Sequence, residues 1–543
     1  MTGAADLVLT GGRVFTADAA LTVAEAVAVR DGRIAWVGPA AEARAHVDPR
    51  TRVVELEGRT VLPAFQDAHC HPAEGGVESL RCVLHDAHTR EACLDTIARY
   101  AAERPELQWI EGSGWSIDSF ERGTPSRADL DAILPDRPAF FQNRDGHGAW
   151  VNSRALELAG VTGETPDPSG GRIERDDAGE PQGTLHEEAQ ELVARLLPAT
   201  TQAEWETGIL HAQAVFHALG ITAWQDARID GPVTIAAYRA VAERGELSMR
   251  VEGNLLWDRD RGAEQIDELL ELRAAGSLGR LRIRGAKIFA DGVLENFTGA
   301  LLEPYVGTEN VGISMLPADE LERAVVLLDS HGFQVHMHTI GDRAVRDALD
   351  ALEAAEHANG RRDSRHHLAH LQLVHPDDLP RFAGLGVVAN VSPYWACRSG
   401  YVEELTEPFI GPERSARMYP FGSLVRAGAR LAFGSDWTVS TNDPLPQLEV
   451  AVTRISPDTR GLEPLLPEEA LDLPAALAAF TCGAAYVNFL EQETGTIEPS
   501  KLADLVVLDR DVLDPGAGPL GDARVLLTLS EGEAVHADPG LGW

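Results

Sequence analysis

Val61-Leu-Pro-Ala-Phe-Gln-Asp-Ala-His69-Cys70-His71 is the stretch that decides the fold, because an apolar run ends there in two histidines. Successive side chains of a strand point to opposite faces, so positions i and i+2 share one face. His69 and His71 can therefore reach the same metal ion, while Cys70 points the other way. Imidazole is the commonest metal ligand among side chains. A single His-x-His is weak on its own, so the rest of the chain must supply further ligands.

Length and composition limit the class of protein and its partners. The chain has 543 residues, 44% of them hydrophobic, which is enough for two or three domains and a large core. Its formal net charge of −38 argues against nucleic acid or an anionic membrane as a partner. No stretch approaches the roughly 20 apolar residues of a membrane span, and the first residues do not resemble a signal peptide. The 5 cysteines are scattered without a CxxC pair, which favours the reducing cytoplasm.

The two ends of the chain share a pattern of short apolar runs between Gly and Asp turns. This pattern covers the first sixty or so residues and resumes near Gly495-Thr-Ile and Ala503-Asp-Leu-Val-Val-Leu. Such runs are typical of β-strands. We therefore predict one small β-sandwich domain built from residues 1–62 and 485–543.

The middle of the chain alternates strand-like and helix-like segments. Eight candidate strands with helices between most of them, such as 318–330 and 342–357, indicate an α/β fold, a (β/α)8 TIM barrel over residues 63–484. The gap between the first two strands is far too long for one helix. Residues 75–215 are therefore predicted to form an insertion, and its place on a βα loop predicts that it covers the active site.

Polar residues stand near the C-terminal end of several candidate strands, where the strands of a barrel converge. The chain has only two lysines, and one of them lies inside an apolar strand. Four imidazoles and one carboxylate are suitable ligands for zinc or a similar divalent metal. The candidate residues are His69 and His71 on strand 1, Lys287 on strand 4, His338 on strand 5, His370 on strand 6 and Asp436 on strand 8.

Six motifs follow one another along the chain. They are Leu62-Pro-Ala-Phe-Gln-Asp-Ala-His-Cys-His, Lys287-Ile-Phe-Ala-Asp-Gly, Val335-His-Met-His-Thr-Ile-Gly-Asp-Arg-Ala, Ala369-His-Leu-Gln-Leu-Val-His-Pro, Gly434-Ser-Asp-Trp and Lys501-Leu-Ala-Asp-Leu-Val-Val-Leu-Asp. In this order they resemble the metal-dependent amidohydrolase superfamily, and within it the subgroup like N-substituted formamide deformylase. The chain departs from the usual pattern at Ala64, where relatives often have Gly, and at Ala369, where they often have Glu. Neither change removes a presumed ligand.

The resemblance implies a pair of divalent ions, expected to be Zn²⁺, bridged by a carboxylated lysine. A protonated lysine has no lone pair for a metal, but its carbamate is a two-oxygen anionic ligand. The alternative for Lys287 is an ordinary lysine paired with an acidic neighbour such as Asp291. A mononuclear site is a further alternative. The implied assignment puts His69, His71 and Asp436 on one ion, His338 and His370 on the other, and Lys287 between them.

The expected mechanism is hydrolysis by a hydroxide formed from metal-activated water, whose pKa falls to near 7. Asp436 would take the proton from that water and deliver it to the leaving amine. His147, in an Asp-Gly-His turn of the insertion, is predicted to contact the substrate or its oxyanion, with a structural turn histidine as the alternative. His336 is expected to pack or hydrogen-bond beneath the ligands. Asp226 and Asp291 could orient a ligand histidine or cap a helix.

We predict a cytoplasmic hydrolase that cleaves a non-peptide C–N bond in a small-molecule N-acyl or N-formyl amide with an apolar N-substituent. Trp115, Trp395 and Trp437 are candidate contacts for that substituent, although aromatic residues also serve as plain packing. The same scaffold acting on a cyclic amide or ester, or by deamination or decarboxylation, is the nearest alternative. A non-catalytic binding or assembly protein is the alternative of another class. Assembly into a homo-oligomer is left open.

Overall fold

The computed structural model describes residues 4–120, 123–541 and 543. A parallel sheet of eight strands forms its centre, and the order of the strands in the sheet follows their order in the chain. Most of these strands are rich in Val, Ile, Ala and Leu and are buried over nearly their whole length, as expected for parallel strands covered by helices. Barrel strands 1 to 8 are Phe65–Cys70, Ile221–Ile229, Arg250–Leu256, Leu281–Phe289, Gln334–Thr339, His367–His370, Val388–Val391 and Arg430–Phe433.

Contacts between the two ends of this sheet bring strand 8 against strand 1. The Asn390 amide on strand 7 donates a hydrogen bond of 2.8 Å to the Ala68 carbonyl on strand 1. Just after strand 8, the Asp436 N–H donates to the His69 carbonyl at 2.7 Å. The sheet is therefore nearly closed, and the predicted (β/α)8 barrel is confirmed.

Helices surround the barrel and pack their apolar faces on it. The two helices predicted from sequence are observed as Ala318–Ser330 and Asp342–Asn359. The second buries Ala344, Val345 and Ala348, which are spaced as one face of a helix requires. The other α-helices after strands 2 to 8 are Pro232–Glu243, Ile266–Gly276, Leu379–Leu385, Glu407–Ile410, Pro412–Ser415, Phe421–Arg426, Pro444–Thr453, Leu473–Ala478 and Ala484–Val487.

Strands from both ends of the chain form a second, mixed sheet. Thr60–Pro63 pairs antiparallel with Leu505–Leu508 and so joins the N-terminal strands to the C-terminal ones. The strands belong to one connected sheet, and Val27 and Leu527 from its two sides share one apolar cluster. The two layers expected of a sandwich are thus continuous with each other. The other strands are Leu7–Phe15, Val23–Arg30, Arg33–Gly38, Arg52–Glu55, Val525–Ser530 and Glu533–Ala537.

A buried ion pair attaches this terminal sheet to the barrel. The Arg250 guanidinium, at the start of barrel strand 3, bonds to Asp504 and lies 2.7 Å from Glu531. Arg250 is 5% exposed and Asp504 4% exposed. Arg280 donates to the same Glu531 carboxylate at 2.7 Å.

The long segment after strand 1 folds as a subdomain with a six-stranded sheet of its own. Its strands are Cys82–Val83, Ile110–Trp115, Ala139–Asn143, Gly148–Val151, Gly171–Arg175 and Pro181–Glu187. Its helices are Pro72–Glu78, Arg90–Glu103, Arg127–Ile133, Ser153–Ala159 and Glu191–Ala194.

Helix Gln202–Ala218 falls largely within the predicted insertion, 75–215, but packs on the barrel. A capping box between Thr201 and Glu204 starts this helix. The Phe216 ring lies 5.1 Å from that of Trp224 on barrel strand 2. The subdomain therefore ends before residue 202. Among the described residues, no helix combines the length and apolar character needed to span a membrane.

Candidate metal centre

Three of the predicted ligands meet where barrel strands 1 and 8 end. His69 Nε2 lies 3.2 Å from Asp436 Oδ1, and His71 Nε2 lies 3.3 Å from the same oxygen. One potential ligand atom from each residue lies within 4.8 Å of those of the other two. Imidazole nitrogens and a carboxylate oxygen this close together match the donors of a zinc site.

The other three predicted ligands lie around this group. Lys287 Nζ is 3.3 Å from His69 Nε2, and His370 Nδ1 is 3.9 Å from Asp436 Oδ2. The centroids of the His338 and His370 rings are 4.7 Å apart. The structure therefore brings all six side chains into one cluster at the C-terminal end of the barrel.

Asp67, on strand 1, fixes the backbone that carries these side chains. Its Oδ1 accepts the N–H of His69 at 3.0 Å and the N–H of Ser435 at 3.1 Å. Asp436 has a φ of +53°, in the left-handed region that non-glycine residues rarely adopt. Such conformations persist where the surrounding structure holds them and are frequent at functional sites. Here the bonds made by Asp67 and by the Asp436 N–H hold the carboxylate against the two histidines of strand 1.

Three ligand histidines use Nδ1 for a partner outside the ligand set. Such partners fix the tautomer and the ring orientation of metal-binding histidines. The pairs are His69 Nδ1 with His336 Nε2 at 2.7 Å, His338 Nδ1 with Asp291 Oδ1 at 3.2 Å, and His370 Nδ1 with Ser392 Oγ at 3.2 Å. The other nitrogen of His69, Nε2, lies against two of the other predicted ligands, Lys287 and Asp436.

The Asp291 carboxylate makes hydrogen bonds to groups other than Lys287. The Asp291 carboxylate accepts the N–H groups of Ile340 at 3.0 Å and Gly341 at 2.8 Å, in addition to its contact with His338. Among the described residues, no carboxylate oxygen lies within 4.0 Å of Lys287 Nζ, so the expected alternative of a Lys287–Asp291 pair is not observed. Asp226 accepts the Tyr238 hydroxyl at 2.6 Å instead of contacting a ligand histidine.

Burial sets the protonation states of the cluster. Loss of solvent lowers the pKa of Lys287 to about 7 and that of His69 to about 3. It also lowers the pKa values of His338 and His370 well below their usual range. Burial alone would raise the pKa of Asp436, but His69 and His370 outweigh it and hold that pKa well below its ordinary value. Burial also lowers the pKa of His71, but Asp436 and Glu74 outweigh that effect and raise it, so this histidine would lose a proton on binding metal. Neutral imidazoles and an ionised carboxylate are the forms that bind metal, so His69, His338, His370 and Asp436 fit a divalent ion.

The insertion contributes a histidine and a carboxylate above this cluster. His147 Nδ1 lies 2.9 Å from Glu187 Oε2, and the Thr298 hydroxyl donates to Glu187 Oε1 at 2.6 Å. The His147 ring lies 5.3 Å from that of His338, centroid to centroid. Burial lowers the pKa of His147, but the negative charges of Glu187 and Asp145 outweigh that effect and raise it to about 9. The insertion therefore places a cationic imidazole over the predicted ligands.

A cavity of about 570 Å³ lies between the barrel and the insertion and is lined by the ligand cluster. Trp395 lines this cavity and stacks on the His370 ring at 5.0 Å. The prediction that Trp115 and Trp437 line it too is corrected by the structure. Trp115 is fully buried in the core of the insertion, with its indole N–H bonded to a backbone carbonyl at 2.7 Å. Trp437 packs against Phe216 at 5.4 Å, outside the cavity lining.

Two residues of this site were not predicted to take part in it. Glu187 follows a polar run with no recognisable spacing, and its pairing with His147 depends on the strand order within the insertion. Asp67 lies two residues before His69 and so shares its face of strand 1, which is a pattern that could have identified it.

Comparisons with known proteins agree with this architecture. Residues 52–536 match the model of the amidohydrolase family, and residues 26–46 match an imidazolonepropionase-like composite domain of bacteria. The chain is 32% identical to protein LONG AFTER FAR-RED 3 of Arabidopsis thaliana, covering 98% of this chain and 92% of that protein. It is 29% identical to N-substituted formamide deformylase of Arthrobacter pascens, covering 98% of each.

A solved structure shows the same fold over nearly the whole chain. It is an uncharacterized metal-dependent hydrolase from Pyrococcus horikoshii, 26% identical, with a TM-score of 0.73 and coverage of 98% of this chain and 100% of that one. The family match spans most of the sequence, including every predicted ligand. The chain therefore belongs to the amidohydrolase family.

Proposed function

We propose that the protein is a metal-dependent hydrolase that cleaves a C–N bond of a small, non-peptide amide. The observation that carries this proposal is the cluster of His69, His71 and Asp436, with Lys287 beside it, on the wall of a 570 Å³ cavity. The family membership supports the hydrolase class, and the formamide deformylase among the relatives supports an amide bond.

The metal would be held by His69, His71 and Asp436, with His338 and His370 available to a second ion. Because partners occupy Nδ1 in His69, His338 and His370, Nε2 is the ring nitrogen that each could offer to a metal. A divalent ion bound there supplies water with a pKa near 7 and polarises a carbonyl oxygen.

We propose that Lys287 is carboxylated in the active enzyme. Lys287 is 1% exposed, and its amine has no carboxylate partner within 4.0 Å among the described residues, which is a costly environment for an ordinary ammonium group. A carbamate would turn this position into an anionic ligand next to His69. Electron density at Lys287 in crystals of the metal-loaded protein tests this, and a bare amine beside fully occupied metal would reject it.

Two side chains have positions suited to proton transfer and substrate contact. The Asp436 carboxylate, 3.2 Å from His69 and open to the cavity, accepts the proton of the attacking water and returns it to the leaving nitrogen. His147 also lines the cavity and, held by Glu187, can donate a hydrogen bond to the substrate carbonyl oxygen as negative charge develops there.

A screen of formamides, cyclic amides and esters with zinc-loaded protein tests the function. We expect release of amine from an N-formyl or N-acyl amide, and loss of that activity in Asp436→Asn. The zinc content of both proteins, measured by mass spectrometry, separates a loss of chemistry from a loss of metal. Turnover of esters alone would move the assignment to a different reaction on this scaffold. Failure to bind any divalent ion would favour a binding protein instead.

A further inference from the structure

A second, smaller chamber opens beside the metal centre. It has a volume of about 210 Å³ and lies between helix Pro72–Glu78, the insertion sheet and helix Gln202–Ala218. Seven residues line both this chamber and the main cavity, among them Glu74, Glu78 and Arg228. The chamber is therefore a side branch of the cavity that contains the predicted ligands.

Close packing fixes the orientation of helix Pro72–Glu78. A side chain at Gly76 would overlap the backbone of Gly208 on helix Gln202–Ala218, and one at Gly75 would overlap Trp437 and Thr438. The helix is thus held on two sides at positions that only glycine can occupy. Glu74 and Glu78, four residues apart on one face, both line the chamber.

These two carboxylates are not neutralised by the arginines around them. Arg81 is paired with Glu111 at 2.8 Å, and Arg228 with Asp230 at 2.6 Å. Among the described residues, no arginine nitrogen lies within 4.0 Å of Glu74 or Glu78. Glu74 is 3.8 Å from His71 Nδ1, and Glu78 accepts the Thr438 hydroxyl at 2.8 Å. Glu78 also lies 3.7 Å from His85 Nε2. The lining of the chamber therefore contains two more carboxylates than arginines, next to a predicted metal ligand.

A second, independent observation points to a polar ligand in the chamber. Ser113, on insertion strand Ile110–Trp115, lines it and is 5% exposed. Its hydroxyl is buried and has no hydrogen-bond partner in the described part of the chain. A buried hydroxyl without a partner costs free energy, and a polar ligand in the chamber would remove that cost.

We propose that this chamber accepts a positively charged arm of the substrate, an alkylammonium group, through Glu74, Glu78 and the Ser113 hydroxyl. This inference rests on the proposed function, because it places the scissile amide at the metal centre and the ammonium group in the side branch. It gives the substrate a cationic arm, on the nitrogen or the acyl side, where the sequence predicted an apolar N-substituent.

Matched pairs of amides test this inference. N-(5-aminopentyl)formamide and N-hexylformamide differ only in a terminal ammonium against a methyl group, and 6-aminohexanamide and heptanamide place the same difference on the acyl side. With zinc-loaded protein, we expect kcat/KM to favour the ammonium member of at least one pair by about tenfold or more. Glu74→Gln should reduce that ratio severalfold, and the double variant Glu74→Gln, Glu78→Gln should bring it close to one.

Two further variants separate the chamber from the rest of the cavity. Ser113→Leu fills the chamber and should lower the same ratio. Glu188→Gln removes a carboxylate from the main cavity, where it is paired with Arg259, and should leave the ratio unchanged. Because each comparison is a ratio between two substrates, a general loss of active protein cancels.

The outcomes distinguish this inference from the proposed function. The chamber assignment is overturned if neither ammonium compound is preferred, or if the double variant retains the preference. Both outcomes leave the hydrolase assignment in place. If no amide is hydrolysed, the chamber assignment is tested by measuring the binding of the same pairs by calorimetry. Tighter binding of the ammonium compounds that is lost in the double variant supports the chamber, and equal or absent binding overturns it.

Discussion

Glu187→Gln should convert His147 from a cation into a neutral imidazole at physiological pH. The pKa of His147 is about 9, against an ordinary value of 6.5, although the residue is buried. This rise corresponds to roughly 3 kcal/mol in favour of the charged form. Most of it depends on the carboxylate 2.9 Å away, since burial acts in the opposite direction. Without that charge, we expect the His147 pKa to fall below 6.5.

The assay is a titration of histidine labelled with ¹³C at Cε1. The His147 resonance is identified by its absence in His147→Gln, and its chemical shift is followed from pH 5 to pH 10. We expect a midpoint near 9 in the unmodified protein and below 6.5 in Glu187→Gln. Glu188→Gln, which neutralises the adjacent carboxylate, serves as the control and should move the midpoint by less than about one unit. A midpoint near 6.5 in both the unmodified protein and Glu187→Gln would refute the reasoning.

The same pair has a consequence for stability with a defined sign. Because the His147 pKa is higher in the folded state, its stabilisation is complete below about pH 6.5 and is lost as the pH rises through about 9. Glu187 has a lowered pKa, so its stabilisation is lost as the pH falls below that of an ordinary glutamate. Glu187→Gln should therefore destabilise the protein most between about pH 5 and 6.5, by up to ~3 kcal/mol, and little at pH 10. An equal loss of thermal stability at pH 6 and pH 10 would contradict this.

Three further predictions concern the metal centre and the domain contact. Asp436→Asn should lower kcat by at least about 10²-fold, as loss of a proton-transfer group does, while circular dichroism shows an unchanged fold; an active variant would refute the role of this carboxylate. Gly434→Ala should reduce the zinc content of the purified protein, because its Cβ would overlap that of His69, and normal zinc binding would show that the strand can adjust. Arg250→Ala leaves Asp504 buried without its cation and should cost about 3–5 kcal/mol of stability, measured by urea unfolding; a cost below 1 kcal/mol would show that water replaces the guanidinium.

The barrel and its ligand cluster could be predicted because they depend on local pattern. Most barrel strands contain short apolar runs, and residues such as His338 and His370 stand out as polar groups near the ends of their strands. Parallel strands of one barrel converge at a single face, so their positions along the chain were sufficient to predict that they meet. The structure brings the six predicted ligands together for this reason.

The insertion could not be predicted in the same way, because its contacts depend on its own tertiary structure. Trp115 lies on a strand of the insertion, where successive side chains point to opposite faces. Which face is covered depends on how that subdomain packs, and the Trp115 ring is buried in the core of the insertion instead of lining the cavity. Glu187 meets His147 across 40 positions of the chain. No period or spacing in the sequence encodes such a contact.

The sheet that joins the two ends of the chain has a consequence for synthesis on the ribosome. Thr60–Pro63 finds its partner strand, Leu505–Leu508, only after more than 440 intervening residues have been translated. At elongation rates of roughly 5–20 residues per second, this edge remains unpaired for about 20 to 90 seconds. An unpaired edge is a template for aggregation. Nascent chains stalled before residue 505 should therefore depend on chaperones more than the finished protein does.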